Sequence, residues 1–205
     1  MNKITEHDIK AMLFEQNLEF ASNFEPASKL IAQTVCNTPE VELLDAGESL
    51  IDSCEVDRRI LGTRLIREVK DNRERAIELL RHLLLRECDE AVIYWVIGAF
   101  GFQKSDSVTE EILAFRTHPN PGIRYNVATA ICNTSLPDLL PQSLEALIVL
   151  CHDENSEVRF SAVFELGAWW QQVKDHRMEL QLRQALSDSD SYVVRAAQDA
   201  LNESG

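Results

Sequence analysis

The sequence predicts an all-α protein, an α–α superhelix in which helical hairpins stack side by side. Three observations predict it. Gly and Pro number only 7 and 6 in 205 residues, so turn signals are few and helices joined by short turns are favoured. The second half repeats itself every 35 residues without a gap. Within each copy, apolar residues recur at i, i+4 and i+8, which places them in one stripe on one side of a helix.

The three tight copies run from His118 to Ile131, from Asp153 to Leu166 and from Asp188 to Leu201. Ile123, Val158 and Val193 fall together, as do Val127, Ala162 and Ala197, and then Ile131, Leu166 and Leu201. A polar turn precedes each stripe, holding Asn120-Pro121, Asn155-Ser156 or Asp190-Ser191. Short Asn and Asp side chains cap the unpaired N–H groups of a helix start, and Pro fits its first turn. Second amphipathic stretches lie between these helices, over 107–116, 141–151 and 175–186. Each repeat is then a hairpin that cannot bury its apolar face alone, so neighbours must stack.

A looser fourth copy lies upstream. Asp89 to Val96 leads to Phe100, and its partner helix spans 73–86 with Ile77, Leu80, Leu84 and Leu85 as the stripe. Asp57 to Gly62 suggests a degenerate repeat. Nearer the start, Thr5 and Asp8 form a capping box ahead of Ile9, Met12, Leu13 and Phe14. The expected organisation is one helical-repeat domain over 1–205. Residues 1–72 serve as an atypical helical cap and 73–205 as about four repeats, since terminal units of such arrays depart from the pattern.

Composition narrows the functions. Hydrophobic residues make up 45% and charged residues 26%, a globular balance. No run of about 18 apolar residues is present, so no membrane span is expected. The N-terminus turns polar and acidic at once and lacks the order of a secretory signal, which points to the cytoplasm. The net charge is −14, from 20 Lys+Arg against 34 Asp+Glu. Phosphate backbones are bound by clustered Lys and Arg, so nucleic acid is an unlikely partner and a basic protein is the favoured one. Cys36, Cys54, Cys88, Cys132 and Cys151 are odd in number and show no Cys-x-x-Cys spacing. They read as small buried hydrophobes rather than as a disulfide or zinc framework.

The pattern Asp-x-x-x-x-Val-Arg, then small residues, then Leu resembles the HEAT repeat, in the HEAT-like type related to phycobilisome lyases. Asp153 to Leu166 carries it best. His118 replaces the Asp in one copy and Val194 the Arg in another. The resemblance covers about 73–203 and is specific for fold rather than function. It implies a concave surface lined by the second helix of each hairpin.

Three columns map onto that surface: Ile93, Arg124, Arg159 and Val194; Tyr94, Tyr125, Phe160 and Arg195; and Gly98, Thr129, Phe164 and Asp199. Phe160 and Phe164 point away from the core stripe, and Val163 and Trp170 extend their side. Two readings stay open. The helix is wedged between neighbours and buried on both sides, or it offers aromatic anchors at a binding groove. On the groove reading the partner-binding residues are Tyr94, Arg124, Tyr125, Arg159, Phe160, Phe164 and Trp170. Arg124 and Arg159 also suit structural bonds to the Asp or Asn of the preceding turn. Glu165 stands where the other copies have Ala130 and Ala200, a costly place for an unpaired carboxylate.

Catalytic motifs are absent: no Gly-rich phosphate loop, no Gly-x-Ser-x-Gly and no His-Glu-x-x-His occur. His118, His152 and Asp153 lack an evident third ligand, and no cofactor or metal is expected. The expected function is a non-catalytic protein-binding scaffold or inhibitor. The resemblance implies HEAT-like immunity proteins that block bacterial toxins as one setting. It also implies two enzyme settings. In alkylpurine DNA glycosylases, Trp95, Arg124, Arg159 and Trp170 would imitate the Trp, Asp and Arg set, yet 105–205 carry 7 Lys+Arg against 15 Asp+Glu. In bilin lyases or their chaperones the aromatic column would cradle a tetrapyrrole, and nothing here identifies such a site.

Overall fold

The structure is a computed structural model that describes residues 4–22, 29–134 and 141–202. Among the described residues all regular structure is helical: α1 (Glu6–Ser22), α2 (Lys29–Asn37), α3 (Glu40–Ile51), α4 (Val56–Arg67), α5 (Arg73–Leu84), α6 (Glu90–Gln103), a 3-10 turn (Asp106–Val108), α7 (Thr109–Leu113), α8 (Pro121–Thr134), α9 (Pro141–Leu150), α10 (Ser156–Val173), α11 (His176–Ala185) and α12 (Ser191–Asn202). No helix among them is long and apolar enough to cross a membrane. The chain divides into two compact units, Met1–Ala99 and Phe100–Gly205.

The first unit opens with the capping box read in the sequence. Asp8 Oδ2 accepts from the Thr5 amide at 2.8 Å, and Thr5 Oγ1 accepts from the Asp8 amide at 3.3 Å. Two otherwise unpaired donors are thereby satisfied reciprocally. α3 and α4 pair as a hairpin and bury Leu43, Leu44, Leu50 and Ile51 together with Ile60, Leu61, Leu65 and Ile66. Asp57 to Gly62 therefore lie in a complete hairpin. Glu40, in the first turn of α3, accepts from the backbone amides of Lys70, Asp71 and Asn72 at 2.7–3.1 Å. That carboxylate satisfies the turn that leads into α5.

In the second unit α10 lies at the centre, packed against α8, α9, α11 and α12. The expected stripe of Val158, Ala162 and Leu166 is buried, and so are Ser161, Val163, Gly167, Trp169 and Trp170. Burial on several sides explains why this helix is apolar nearly all round. The turns cap their helices as read. Asn155 Oδ1 accepts from the Glu157 and Val158 amides, Asn120 Oδ1 from Gly122, and Asp190 Oδ1 from Tyr192. α10 runs on to Val173 and stops where Lys174, at φ 56°, turns left-handed and donates its N–H to the Trp170 carbonyl. This is a helix-ending geometry that satisfies an orphan carbonyl.

Two expectations need correction. The helix expected over 107–116 is a 3-10 turn followed by the five residues of α7, because Ser105 caps the Ser107 amide and starts a tighter turn first. Only Cys132 and Cys151 are buried cysteines; Cys36, Cys54 and Cys88 are exposed. Cys54 and Cys88 stand in polar turns between helices, outside any apolar stripe. Burial pushes the Cys151 thiol up to about 12, and it pushes Cys132 higher still.

Helix neighbours in the second unit approach closely at one repeated position. A Cβ on Gly101 would lie 2.8 Å from Ala130 Cα, and one on Gly167 would lie 2.6 Å from Ala200 Cβ. Gly167→Ala therefore forces α10 and α12 apart, since neither methyl group can rotate away. The expected loss is about 1–3 kcal/mol of unfolding free energy, read as a lower urea midpoint with an unchanged m-value.

Candidate partner-binding face

The face is held in place by an arginine clasp that recurs along the chain. Arg159 Nη1 donates to the carbonyls of Asp153 and Glu154 in its own turn. Its Nε and Nη2 form a bidentate pair, both at 2.8 Å, with Asp188 in the next turn. Asp188 in turn accepts from the Asp190 amide at 2.8 Å. Arg124 repeats this with His118 O, Pro119 O and Asp153, and Asp153 accepts from the Asn155 amide. In the first unit Arg59 does the same with Ser53 O, Cys54 O and Glu87. The carboxylate partner thus lies in the following turn. The preceding turn contributes two backbone carbonyls rather than the expected Asp or Asn side chain, because the guanidinium fork presents enough donors to reach both turns.

These pairs are largely dry. Side-chain exposure is 9% and 8% for Arg124 and Asp153, and 14% and 13% for Arg159 and Asp188. Burial opposes ionisation of Asp153, but the Arg124 bonds and the Asn155 amide outweigh it and hold the carboxyl below its usual range. The Arg159 bond does the same for Asp188, against a smaller opposing effect of burial. Bidentate geometry with extra backbone bonds is the arrangement in which a buried ion pair offsets its desolvation.

With these arginines engaged below the surface, the exposed side of α8, α10 and α12 is left to other residues. Phe164 is 58% exposed and Phe160 is half-buried, their ring centroids 6.1 Å apart. Tyr192, 69% exposed, stands 6.5 Å from Phe160 with its ring nearly perpendicular, at 79°. Tyr125 on α8 is half-buried. Val163 and Trp170, expected to extend the side of Phe160, are buried, and Lys174 Nζ sits 4.7 Å over the Trp170 ring. The helix is thus divided: Val163 and Trp170 pack against neighbours, whereas Phe164 and part of Phe160 reach the surface. In the first unit Tyr94 lies at the surface beside Trp95, at 5.9 Å, and Arg64 stacks on Trp95 at 5.0 Å.

Tyr192 is the residue that sequence reasoning missed. It stands one position before the Val column, where the other tight copies have Gly122 and Glu157, so no aromatic column announces it. Its contact with Phe160 arises only because α12 lies beside α10.

The seam between α8 and α10 is polar. Thr129 and Ser161 hydroxyls meet at 3.1 Å, and Cys132 Sγ donates to the Glu165 carbonyl at 3.4 Å. Glu165 is half-buried here, and burial raises its pKa. At the equivalent position of the neighbouring seams stand Ala130 and Ala200. Among the described residues no three His, Cys, Asp or Glu could share a metal. His118 Nδ1 accepts from the Asn120 amide and His152 Nε2 meets Gln181.

No family model matches the chain, and no curated protein does. Solved structures do. A designed armadillo repeat protein matches with a TM-score of 0.59 at 18% identity, covering 100% of this chain and 96% of that one. A designed armadillo repeat protein in complex with the peptide (KR)4 matches with a TM-score of 0.56 at 15% identity, covering 98% and 100%. An engineered protein matches with a TM-score of 0.61 at 17% identity, covering 98% of each chain. The fold, like theirs, is a helical-repeat solenoid. At these identities the likeness concerns the fold alone.

Two stability predictions follow from the ion pairs and the seam. Asp188→Asn keeps the shape but removes the charge from the clasp, and about 1.5–3 kcal/mol of stability should go with it. Because Asp153 and Asp188 are held low, their contribution is present above the ordinary carboxylate pKa. It is lost as pH falls through their lowered folded values, so the difference in thermal midpoint between wild type and Asp188→Asn should be largest at neutral pH and shrink in acid. Glu165 has the opposite sign. Its folded pKa is raised, so stability falls as pH rises from the ordinary carboxylate value through the raised one. Glu165→Ala should raise the thermal midpoint at pH 7 and change it little at pH 4; an equal shift at both pH values would refute the ionisation argument.

Proposed function

We propose that the protein is a non-catalytic scaffold that binds a protein partner along the exposed face of α8, α10 and α12. The observation that carries this reading is the aromatic group of Phe160, Phe164 and Tyr192, left at the surface of helices whose other sides are packed. A soluble fold gains nothing from exposing two large rings side by side, and such clusters mark interaction sites. Rigid aromatic side chains lose little entropy on contact and carry much of the energy of an interface. The helices hold them on a fixed scaffold, stiffened by the arginine clasp.

The likeness to designed repeat proteins, one of them described as made for modular peptide recognition, supports a binding role. Those neighbours are repeat scaffolds, which favours a non-enzymatic reading at the level of fold. The charge of −14 favours a basic partner, by steering it and by excluding acidic competitors. An immunity-type inhibitor of a basic bacterial toxin is one role that suits this chemistry. The HEAT-like resemblance of 73–203 to phycobilisome-lyase relatives stays part of the proposal as a repeat type.

The test uses a displayed library of random peptides. Wild type should enrich binding sequences, and Phe164→Ala should lose them with an unchanged circular dichroism spectrum, because this ring is mostly in water. Val149→Ala, which removes an exposed apolar side chain from α9, should retain them. Loss on Val149→Ala with retention on Phe164→Ala would place binding on another surface.

A further inference from the structure

The rings of the exposed face are not a uniform apolar patch. Phe160 and Tyr192 stand nearly perpendicular, 79° apart, with Phe164 tilted 30° to Phe160. Aromatic faces carry negative quadrupole potential, and rings set at an angle to one another can attract a cation on their faces. The acids around them are arranged by the repeat. Glu157 lies one turn before Phe160 on α10, and Asp199 on α12 aligns with Phe164. Asp190 caps α12 directly before Tyr192. Glu157 is exposed and makes no ion pair among the described residues. The cations that could neutralise this region, Arg124 and Arg159, are engaged by Asp153 and Asp188. Of the described cations on α8, α10 and α12, Arg195 remains on the face, 79% exposed and 3.9 Å from Asp199.

Building on the scaffold reading above, we propose that Phe160 and Tyr192, with Glu157 one turn before Phe160 and Asp199 two turns beyond Tyr192 on α12, form a docking site for a lysine or arginine side chain of an extended partner segment. An ammonium or guanidinium group suits this site on two grounds. Its charge is complementary to the flanking carboxylates, and its weakly hydrated stem or plane lies against ring faces. Neutral apolar side chains would satisfy the rings and leave the carboxylates without benefit. Anionic groups would be repelled. Arg195 is the intramolecular cation next to the site, so it competes with the incoming side chain.

The test is calorimetric titration of the full chain with a synthetic peptide of four Lys-Arg pairs. A peptide of the same length with every charge replaced by Gln, and a third of Leu and Ser, serve as comparisons. The Lys-Arg peptide should bind, and the Gln peptide should not. Tyr192→Leu keeps apolar area but removes the ring, and should weaken the Lys-Arg peptide by about fivefold to thirtyfold, the range of a partly desolvated cation–π contact. Tyr192→Phe keeps the ring and should stay within about twofold of wild type on the same argument. Arg195→Gln should tighten binding. Equal affinity of wild type and Tyr192→Leu would overturn the proposal, since charge alone would then hold the peptide. Binding of the Leu-Ser peptide in preference to Lys-Arg would also overturn it and leave the scaffold reading standing. Binding of none of the three peptides would overturn it as well, while peptides enriched from the library and dependent on Phe164 would still uphold the scaffold.

Discussion

The arginine clasp is the interaction on which the rest of the second unit depends. Each guanidinium closes its own turn through two carbonyls and then grips a carboxylate in the following turn. The same carboxylate accepts a backbone amide beside the next helix start. One side chain therefore fixes the spacing of two repeats and the entry of a third element. Surface ion pairs contribute little because water screens them. These pairs are mostly shielded and their hydrogen bonds are satisfied, so removing one partner leaves a charge that costs more than the pair gained. The sequence departs from the pattern in a paired way. Ile93 stands where an arginine would be and His118 where the acid would be, so both halves of the clasp are missing from the same register.

Engaging the arginines below the surface has a consequence for function. A chain with 34 acidic and 20 basic residues spends part of its cations on internal geometry. The acids of the exposed helix faces are then not neutralised by these arginines, and theirs is the charge that the proposed basic partner would meet. α10 shows how the competing demands of packing and recognition are divided along one helix. Val163, Gly167 and Trp170 turn toward neighbours, whereas Phe164, on the remaining side, stays in water and Phe160 is half-covered. Glu165 marks the polar seam to α8, where two other repeats place alanine. Burial of a carboxylate there raises its pKa, and the Cys132 thiol beside it offsets only part of that effect.

Much of the fold was legible in the sequence. The 35-residue period, the i, i+4, i+8 stripes and the Asn and Asp caps depend only on local geometry, and residues a few positions apart decide them. Those features located α8 to α12 closely, along with α5 and α6. The degenerate hairpin of α3 and α4 was harder to read, because its turn holds Ser53-Cys54-Glu55 rather than the Asp and Asn of the later copies. The face was half legible. Phe160 and Phe164 follow from the helical wheel, but the wheel gave Val163 and Trp170 the same side.

The sequence by itself determined that the chain is helical, that it repeats, where its helices start and which stripe each buries. Those are properties of one helix and its caps. Tertiary structure alone decided three things: that Arg159 reaches forward to Asp188, that Trp170 is covered while Phe164 is not, and that Tyr192 joins Phe160. Each depends on which helix lies alongside and at what distance. The side-chain period within one helix carries no information about its neighbour, and only close packing of α10 against α8 and α12 supplies it.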